Sequence, residues 1–309
     1  MTFAYSDDNK RYHTLSFHNR RTYGEKVFKA VLDCGFTCPN IDGSKGVGGC
    51  TYCDGGSGYF TSAGTVTRQL EQEKERISAK HPTAKMIAYF QAHTNTYAPV
   101  ERLRELYSEA VAFGVCGIAV ATRADCIDGE KCRLLAGLGV PVTVELGLQT
   151  VHDTTAARIN RCHSYEDFLR AFALLRSFGL RVCVHIINGL PGETDEMMLE
   201  TARRLGALRP DGVKIHLLHV IRGTELAEEF LRGEYTPLEK ERYVDIVVRQ
   251  LELLPPETVI ERITGDGDKE KLLAPLWSRD KIAVLGAIDK LQKQRGSVQG
   301  RLFEEDKID

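Results

Sequence analysis

The chain has no long hydrophobic run. None of its 309 residues belongs to a stretch that approaches the ~18 consecutive apolar residues required by a membrane-spanning helix. Residues 1–21 are polar and contain no apolar region of the kind that secretory signals carry. We therefore expect a cytoplasmic protein with no membrane contact.

Neither sign of charge is in excess. Lys and Arg number 41 and Asp and Glu number 43, which gives a net charge of −2 with neutral His. A balanced total gives no support to a surface that is basic throughout, but it leaves room for a local basic patch. Composition alone neither favours nor excludes RNA as a partner.

In contrast, the sequence is rich in cysteine. Nine cysteines, an odd count in so large a chain, argue against a disulfide framework in a reducing compartment. We expect some of them to bind metal and the others to be buried thiols.

Short apolar runs alternate with amphipathic segments. Strands are predicted at 27–33, 85–91, 117–122, 142–148, 181–188 and 212–220, and helices at 67–80, 100–113, 129–138, 165–178 and 194–208. Strands this apolar are typical of a parallel sheet buried on both faces, so the pattern predicts a wound α/β sheet or a barrel. After residue 220 the alternation lapses into helices at 225–231, 238–253 and 279–293 and a strand at "TVIERI".

Polar clusters follow every predicted strand. They are "FQAHTNTY", "ATRADC", "GLQT", "NGLPGET" and "HVIRGT", and the stretch from Cys34 to Gly56 follows the first strand. Ligands bind at the carboxyl ends of parallel strands. Because every cluster follows a strand, we expect the clusters to form one site at one rim of the sheet.

The stretch "CGFTCPNIDGSKGVGGCTYCDGG" is the richest in potential ligands. Cys50 and Cys53 have the spacing of zinc and iron–sulfur sites, and a glycine-rich loop is long enough to return Cys38 to them. A zinc knuckle would use Cys34 as a fourth ligand. A redox Cys-x-x-Cys pair and a phosphate loop are weaker alternatives, since "GSKGVGG" lacks the Gly-Lys-Ser/Thr ending of a P-loop.

An ordered set of motifs covers roughly residues 11–290. It begins with "GEKVFKAVLDCGFTCPNIDGSKGVGGCTYC" and continues with "YFQAHTNTYAP", "ATRADC", "VELGLQT", "INRCH", "HIINGLPGET", "KIHLLHVIRGTELA" and "ITGDGDKEKLLAPLWS". This set resembles the radical SAM superfamily, with its YhcC/YtqA-type group as the nearest match. The Elongator catalytic subunit and the coproporphyrinogen-oxidising enzymes are more distant matches. A closed zinc site would leave the other rim motifs without a role.

The resemblance implies a fold and a metal centre. The fold is a partial (β/α)6 TIM-type barrel at residues 25–222, after an N-terminal segment at 1–24 and before a C-terminal helical and strand extension at 223–309 that packs on the barrel. Cys38, Cys50 and Cys53 are implied to hold a [4Fe–4S] cluster, with Cys34 outside the ligand set. Their spacing is wider than the common Cys-x3-Cys-x2-Cys pattern, as it is in Elongator-like relatives.

The resemblance also assigns contacts with S-adenosylmethionine (SAM). Tyr52 is expected to lie against adenine, although a packing aromatic is an equal alternative. Gln91 is expected to receive the methionine amino group. Gln149 is expected to contact the ribose and Arg161 the carboxylate. Gly189 and Gly192 are expected to let the backbone of the "GLPGE" turn approach adenine. We expect Glu193 to cap the following helix.

No side chain is assigned a catalytic role by the sequence. His185 and His216 lie within apolar strands and are interpreted as satisfied core histidines. Rim residues that could contact a substrate are His93, Tyr97, Arg123, Asp125, His219, Cys126 and Cys162.

The implied function is a radical SAM enzyme, which cleaves SAM reductively to a 5′-deoxyadenosyl radical using electrons from flavodoxin or ferredoxin. The implied substrate is tRNA, whose wobble-uridine side chain would be trimmed from carboxymethylaminomethyl to aminomethyl. Basic residues near both termini could meet RNA phosphates if the termini fold near the barrel mouth: Arg20, Arg21, Lys26, Lys29, Lys290, Lys293, Arg295 and Arg301. Alternatives are a radical SAM enzyme acting on a small molecule such as a tetrapyrrole, and a non-enzymatic zinc or iron–sulfur RNA-binding protein.

Overall fold

The computed structural model describes residues 3–55, 64–265 and 267–304. Its main sheet has seven parallel strands, ordered β1-β2-β3-β4-β5-β6-β8. Their bounds are β1 (Val27–Leu32), β2 (Lys85–Phe90), β3 (Gly117–Arg123), β4 (Val142–Gln149), β5 (Arg181–Asn188), β6 (Gly212–Leu217) and β8 (Val259–Arg262), while β7 (Val220–Ile221) pairs with β9 (Leu272–Ala274). Because strand order follows chain order, each crossover adds the next strand on the same side and the sheet curls. The predicted partial TIM-type barrel is confirmed.

Helices connect the strands and cover the outside of the sheet. They are α1 (Leu15–Tyr23), α2 (Val66–Ser78), α3 (Val100–Ala112), α4 (Gly129–Ala136), α5 (Asp153–Arg158), α6 (Tyr165–Ser177), α7 (Asp195–Ala207), α8 (Glu225–Leu231), α9 (Lys240–Leu253) and α10 (Lys281–Arg295). Most begin after a side chain that accepts a hydrogen bond from a free backbone N–H, as in the capping box of Ser164 and Asp167. The sequence analysis did not predict α1 and α5. Within the described ranges, no helix has the length and apolar character needed to cross a membrane.

A seventh strand comes from the segment expected to pack outside the barrel. The "TVIERI" strand, β8, pairs in parallel with β6, and Val259 lies opposite Gly212. Val259 and Ile260 are buried, which gives β8 the apolar content of a barrel strand. The sheet therefore has β1 and β8 as its two edges.

The two faces of the sheet differ in chemistry. Both are buried, as the sequence predicts, and alternate residues such as Leu32 and Phe90 pack under the helices. The opposite face of the same strands carries Lys29, Glu145 and Lys214. The interior of the barrel is therefore polar. The apolar content of the strand sequences did not predict this.

The first and last described segments of the chain contact the amino ends of the strands. Ile260 donates its N–H to His13 O at 2.7 Å, and Gln299 donates to Pro255 O at 2.6 Å, just before β8 begins. In addition, Lys85 donates to Tyr23 O at 3.0 Å where β2 begins. The cysteine loop follows β1 and lies at the opposite end. The hypothesis that basic residues near the termini flank the barrel mouth is therefore wrong.

Candidate active site

The cysteine loop, residues 33–55, is tied to the end of α5. Thr51 donates its N–H to Ile159 O at 3.1 Å, and Asn160 donates to Gly49 O at 2.7 Å. Asn40, which is fully buried, donates to the carbonyls of Asn160 and Arg161. These bonds fix a segment that has no helix or strand of its own.

Glycine is required at one point of this loop. A Cβ on Gly46 would lie 2.9 Å from Cys162 Sγ, which is closer than real Cβ contacts. The thiol of Cys162 itself contacts Asn160 Oδ1 at 3.1 Å. Cys162 thus lies against the loop as packing and is held by its own neighbour.

Three of the four cysteines in the stretch line one small cavity. Cys38, Cys50 and Cys53 surround a volume of about 220 Å3 with Arg123 beside them. Burial, together with the neighbouring thiols of Cys53 and Cys38, raises the pKa of Cys50 to about 11. Cys34 lies elsewhere and packs against the core under the helices.

This donor set fits an iron–sulfur cluster. Within the described ranges, no three His, Cys, Asp or Glu side chains converge closely enough to hold one metal ion. A tetrahedral zinc site needs its thiolates around a single ion, whereas a cubane cluster spreads three thiolates over three irons. Thiolates held close together also need positive charge nearby, which a cluster would supply and to which Arg123 would add. The absence of Cys34 from the cavity removes the fourth ligand of a zinc knuckle.

The residues assigned to SAM divide into two groups. Tyr52 lines both this cavity and a larger one, Gln91 lines the larger, and Gln149 lines the smaller. Tyr52 also packs against the apolar cluster that contains Ile159 and Leu190, which agrees with its interpretation as a packing aromatic. Its contact with adenine stays a prediction. Gln149 has a φ of 62° beside a register shift in β4, and strained backbone of this kind clusters at binding sites.

Arg161 lies in the second group, because its donors are already engaged. Its guanidinium is 1% exposed and donates to Leu148 O at 2.5 Å, Thr150 O at 2.7 Å and His163 O at 3.0 Å. It also lines the small cavity. The geometry favours a residue that holds the loops after β4 and α5 in place.

The "GLPGE" turn is built from backbone that only glycine adopts easily. Gly189 and Gly192 have φ values of 91° and 83°, and neither is among the residues lining the two cavities. Tyr235 donates its hydroxyl to Gly189 O at 2.8 Å and so fixes the turn. Glu193 does not cap α7, because Thr194 does so. Its carboxylate accepts from Thr150 Oγ1 at 2.5 Å, which links the turn to the loop after β4.

The larger cavity has a volume of about 840 Å3 and runs from Cys53 into the barrel. One side is formed by β1 and α2, and the other by β8 and the loop that follows it. Its inner wall carries polar groups from five strands: Lys29, Tyr89, His185, Lys214, His216, Glu261 and Arg262. Such a volume lies within the range of pockets that enclose organic ligands.

Glu145 is the centre of an ion network beside this cavity. Its carboxylate accepts from Lys29 at 2.5 Å, from His185 at 2.9 Å and from Lys214. Burial raises the pKa of Glu145, but Lys214 and Lys29 together hold it well below its ordinary value. Lys29 also bonds Glu261 at 2.7 Å. The prediction that Lys29 belongs to a surface basic patch is therefore wrong.

The two strand histidines also face this cavity. Burial and Lys214 lower the pKa of His185, and burial and His185 hold the pKa of His216 well below its usual value, so both are neutral. His185 is satisfied by Glu145, as predicted, but the buried Nε2 of His216 has no hydrogen-bond partner among the described residues. The interpretation of His216 as a satisfied core histidine is wrong.

The remaining rim residues have mixed placements. Arg123 forms a two-pronged ion pair with Asp125, with both contacts at 3.0 Å, and His93 lines both cavities. Tyr97 donates to the exposed Ser44 of the cysteine loop, and His219 packs within van der Waals range of Gly265 and Gly267. Cys126 is buried.

Sequence analysis missed the inner network. Its signal was present, because Lys29, Glu145 and Lys214 each stand in the middle of an apolar run. A charge at such a position must be paired inside the protein, since burying it alone is costly.

Comparison with known proteins places the chain in a family. Residues 44–205 match the radical SAM superfamily, and residues 210–293 match the radical SAM C-terminal domain. The uncharacterised protein YtqA of Bacillus subtilis is 47% identical over 98% of this chain and 96% of its own length. A tRNA uridine(34) acetyltransferase of Methanocaldococcus jannaschii is 34% identical over 48% of this chain and 28% of its own.

The fold has a matching solved structure. The archaeal Elp3 of Methanocaldococcus infernus with an N-terminal deletion superposes with a TM-score of 0.67 and 21% identity, over 89% of this chain and 64% of that one. This likeness supports the barrel, and the near full-length relative and the family match establish the class. The chain therefore belongs to the radical SAM superfamily.

Proposed function

We propose that this radical SAM enzyme acts on tRNA and trims the side chain of a modified wobble uridine from carboxymethylaminomethyl to aminomethyl. The observation that carries the proposal is the 840 Å3 cavity, which begins at Cys53 and is polar along its inner wall. A base extruded from an anticodon loop is already unpaired and can enter such a cavity. A tRNA uridine(34) acetyltransferase, 28% of whose length matches about half of this chain, supports the same class of substrate.

Cys38, Cys50 and Cys53 would hold a [4Fe–4S] cluster on the loop that Asn40 and Asn160 fix. Bound together with SAM, this cluster supplies one-electron cleavage of SAM and hydrogen abstraction from the substrate, with electrons from flavodoxin or ferredoxin in the cytoplasm. Gln91 and Gln149 would orient the cofactor at the two cavities.

The barrel supplies enclosure and charge. Its outer face is covered by apolar packing, and its polar groups face the cavity. Exclusion of water and oxygen protects reactive intermediates. Inside, the network around Glu145 presents fixed donors to a polar substrate.

Exposed cations on the rim would meet the RNA backbone. Lys45 lies on the cysteine loop, Arg222 follows β7, and Lys269 lies in the loop after β8, so all three are at the carboxyl end of the barrel. An open rim with cations suits a large anionic partner better than a tetrapyrrole, which needs a closed pocket.

The test is nucleoside mass spectrometry of tRNA from cells that lack this protein. We expect carboxymethylaminomethyl-uridine to accumulate, and complementation with the unmodified gene, but not with a Cys50→Ala gene, to reverse this. Purified, cluster-containing enzyme should form deoxyadenosine when it meets such tRNA. An unchanged wobble-uridine profile together with no formation of deoxyadenosine would contradict the tRNA substrate and favour a small-molecule substrate.

A further inference from the structure

A β-bulge brings an arginine into the barrel. Lys214 of β6 lies opposite Arg262, although Val213 lies opposite Ile260, so β8 contains one extra residue at Glu261. In a regular strand, neighbouring side chains point to opposite faces. Here both Glu261 and Arg262 line the cavity, which is how bulges redirect side chains beside functional sites.

The charge of Arg262 is not neutralised. Among residues 3–55, 64–265 and 267–304, none offers its guanidinium a hydrogen bond or an ion pair. Lys29 is paired with Glu145 and Glu261, and Lys214 is paired with Glu145. Three cations thus face two carboxylates in the barrel interior, which leaves an excess of one positive charge.

Two of the three carboxylates at the cavity rim are already paired with cations of their own. Asp54 pairs with Lys271 at 3.2 Å, and Glu73 pairs with Arg76 at 2.7 Å. Asp268 accepts a backbone N–H at the outer end of the loop after β8. At the barrel floor, Arg181 approaches Glu261 at 3.7 Å and adds further positive charge.

A second unsatisfied donor lies beside Arg262. His216 is two residues beyond Lys214 on β6, and therefore on the same face, and its buried Nε2 lacks a partner. Arg262 and His216 line the same cavity. A guanidinium fork and an imidazole on the wall of one cavity match a planar anion.

We infer that Arg262 and His216 form a carboxylate-binding subsite, which holds the acidic end of the substrate's side chain. This inference rests on the proposed function. A carboxylate carries one negative charge and would pair with the guanidinium of Arg262, which has no counter-ion among the described residues. Backbone phosphates are the other source of negative charge in tRNA, but a base that enters the barrel leaves its phosphates at the rim.

The test measures binding to the full-length, cluster-containing protein under anaerobic conditions. The probes are 5-carboxymethylaminomethyluridine, 5-aminomethyluridine, uridine 5′-monophosphate, and N-methylglycine with a 13C carboxylate as the side-chain fragment alone. The variants are Arg262→Gln, Arg262→Lys and His216→Asn. Arg76→Gln is the matched control, because Arg76 lines the same cavity but is paired with Glu73.

We expect the unmodified protein to bind the carboxylate-bearing nucleoside at least tenfold more tightly than the aminomethyl one. Arg262→Gln should remove this preference, Arg262→Lys should retain part of it, and Arg76→Gln should leave it intact. SAM affinity and the melting temperature should stay unchanged in Arg262→Gln.

Three outcomes would overturn the inference. Retention of the preference by Arg262→Gln means that the carboxylate binds elsewhere. An equal loss of SAM affinity assigns the subsite to the cofactor's carboxylate, and a gain for uridine 5′-monophosphate that depends on Arg262 assigns it to phosphate. Binding of the N-methylglycine fragment distinguishes failure of this inference from failure of the proposed function. If the enzyme is inactive on tRNA but binds N-methylglycine in a way that depends on Arg262, the tRNA substrate is rejected and the carboxylate subsite stands.

Discussion

Tyr89 donates its hydroxyl hydrogen to Glu145 Oε2 across 2.6 Å in the barrel interior. The same carboxylate, which has no exposed surface, also accepts from Lys29, His185 and Lys214. One buried anion thus satisfies donors from four other strands. Its removal would leave the buried ammonium of Lys214 without a counter-ion, whereas Lys29 would keep Glu261.

We expect Glu145→Gln to lower the free energy of unfolding by about 3–5 kcal/mol, the cost of breaking a buried ion pair from one side. Urea unfolding at pH 7 measures it. Glu166→Gln is the control, because Glu166 forms an exposed pair with Arg170 and should cost less than ~1 kcal/mol. A loss from Glu145→Gln as small as the control's would mean that the network does not stabilise the barrel.

The same network predicts the direction of pH dependence. The pKa of Glu145 is depressed in the folded state, so its contribution is present above the unfolded carboxyl pKa of about 4.3 and is lost as pH falls through the lower folded value. The stability difference between the unmodified protein and Glu145→Gln should stay constant from pH 7 to 5 and shrink only below about pH 4. A difference that shrank between pH 7 and 5 would contradict a depressed pKa.

The cluster ligands can be tested by metal content. Cys38→Ala, Cys50→Ala and Cys53→Ala should each lose the [4Fe–4S] cluster and its electron paramagnetic resonance signal after anaerobic reconstitution. Cys34→Ala is the internal control and should keep both, because Cys34 packs against the core and not in the cavity. Loss of iron in Cys34→Ala, or stoichiometric zinc in the native protein, would contradict the assignment of Cys38, Cys50 and Cys53 as the cluster ligands.

A substitution at Arg161 distinguishes two roles for this residue, direct contact with SAM and support of the loops after β4 and α5. Arg161→Ala leaves the buried carbonyls of Leu148 and Thr150 without donors, so the free energy of unfolding should fall by about 2–5 kcal/mol. Arg170→Ala, at an exposed arginine that pairs with the exposed Glu166, should change it by less than ~1 kcal/mol. Calorimetry with SAM completes the test. Full stability with a tenfold loss of SAM affinity would restore the sequence-based assignment of a direct carboxylate contact.

The rim cations determine where RNA would bind. Arg222→Glu and Lys269→Glu should weaken tRNA binding and lower the salt slope, by about 1 for each phosphate that the protein no longer neutralises. The matched control is Lys293→Glu with Arg295→Glu, because Arg295 pairs with Asp245 and lies near the amino ends of the strands. Filter binding over a salt series measures both. A flattened slope in the control alone would place the RNA at the other end of the barrel.

Much of the barrel could be predicted from local pattern. The apolar run from 181–188 and the amphipathic segment from 165–178 agree with β5 and α6 to within one residue, because a helix or strand in a parallel α/β fold carries its period in its own residues. Bounds differ mainly at carboxyl ends. The parallel pairing of β8 with β6 was not predicted, since pairing between distant segments leaves no local signal.

The candidate site divides in the same way. Cys50 and Cys53 are close in sequence, so their spacing alone indicated a metal centre, and Cys38 belongs to the same loop. The packing of Cys34 away from that loop's cavity became visible only in three dimensions. Arg161 shows the reverse case, in which a motif residue is occupied by the carbonyls of its own loops.

By itself, the sequence determined the repeated strand–helix order, the rim that collects the loops and the cysteine chemistry, because each depends on residues within a few positions of one another. Tertiary structure decided which charges meet. Lys29, Glu145, Lys214 and Arg262 come from four strands, and only curling of the sheet and a one-residue bulge in β8 turn them towards one cavity. The physical reason is that electrostatic pairing depends on distance in space, and a bulge reverses the face of every residue after it.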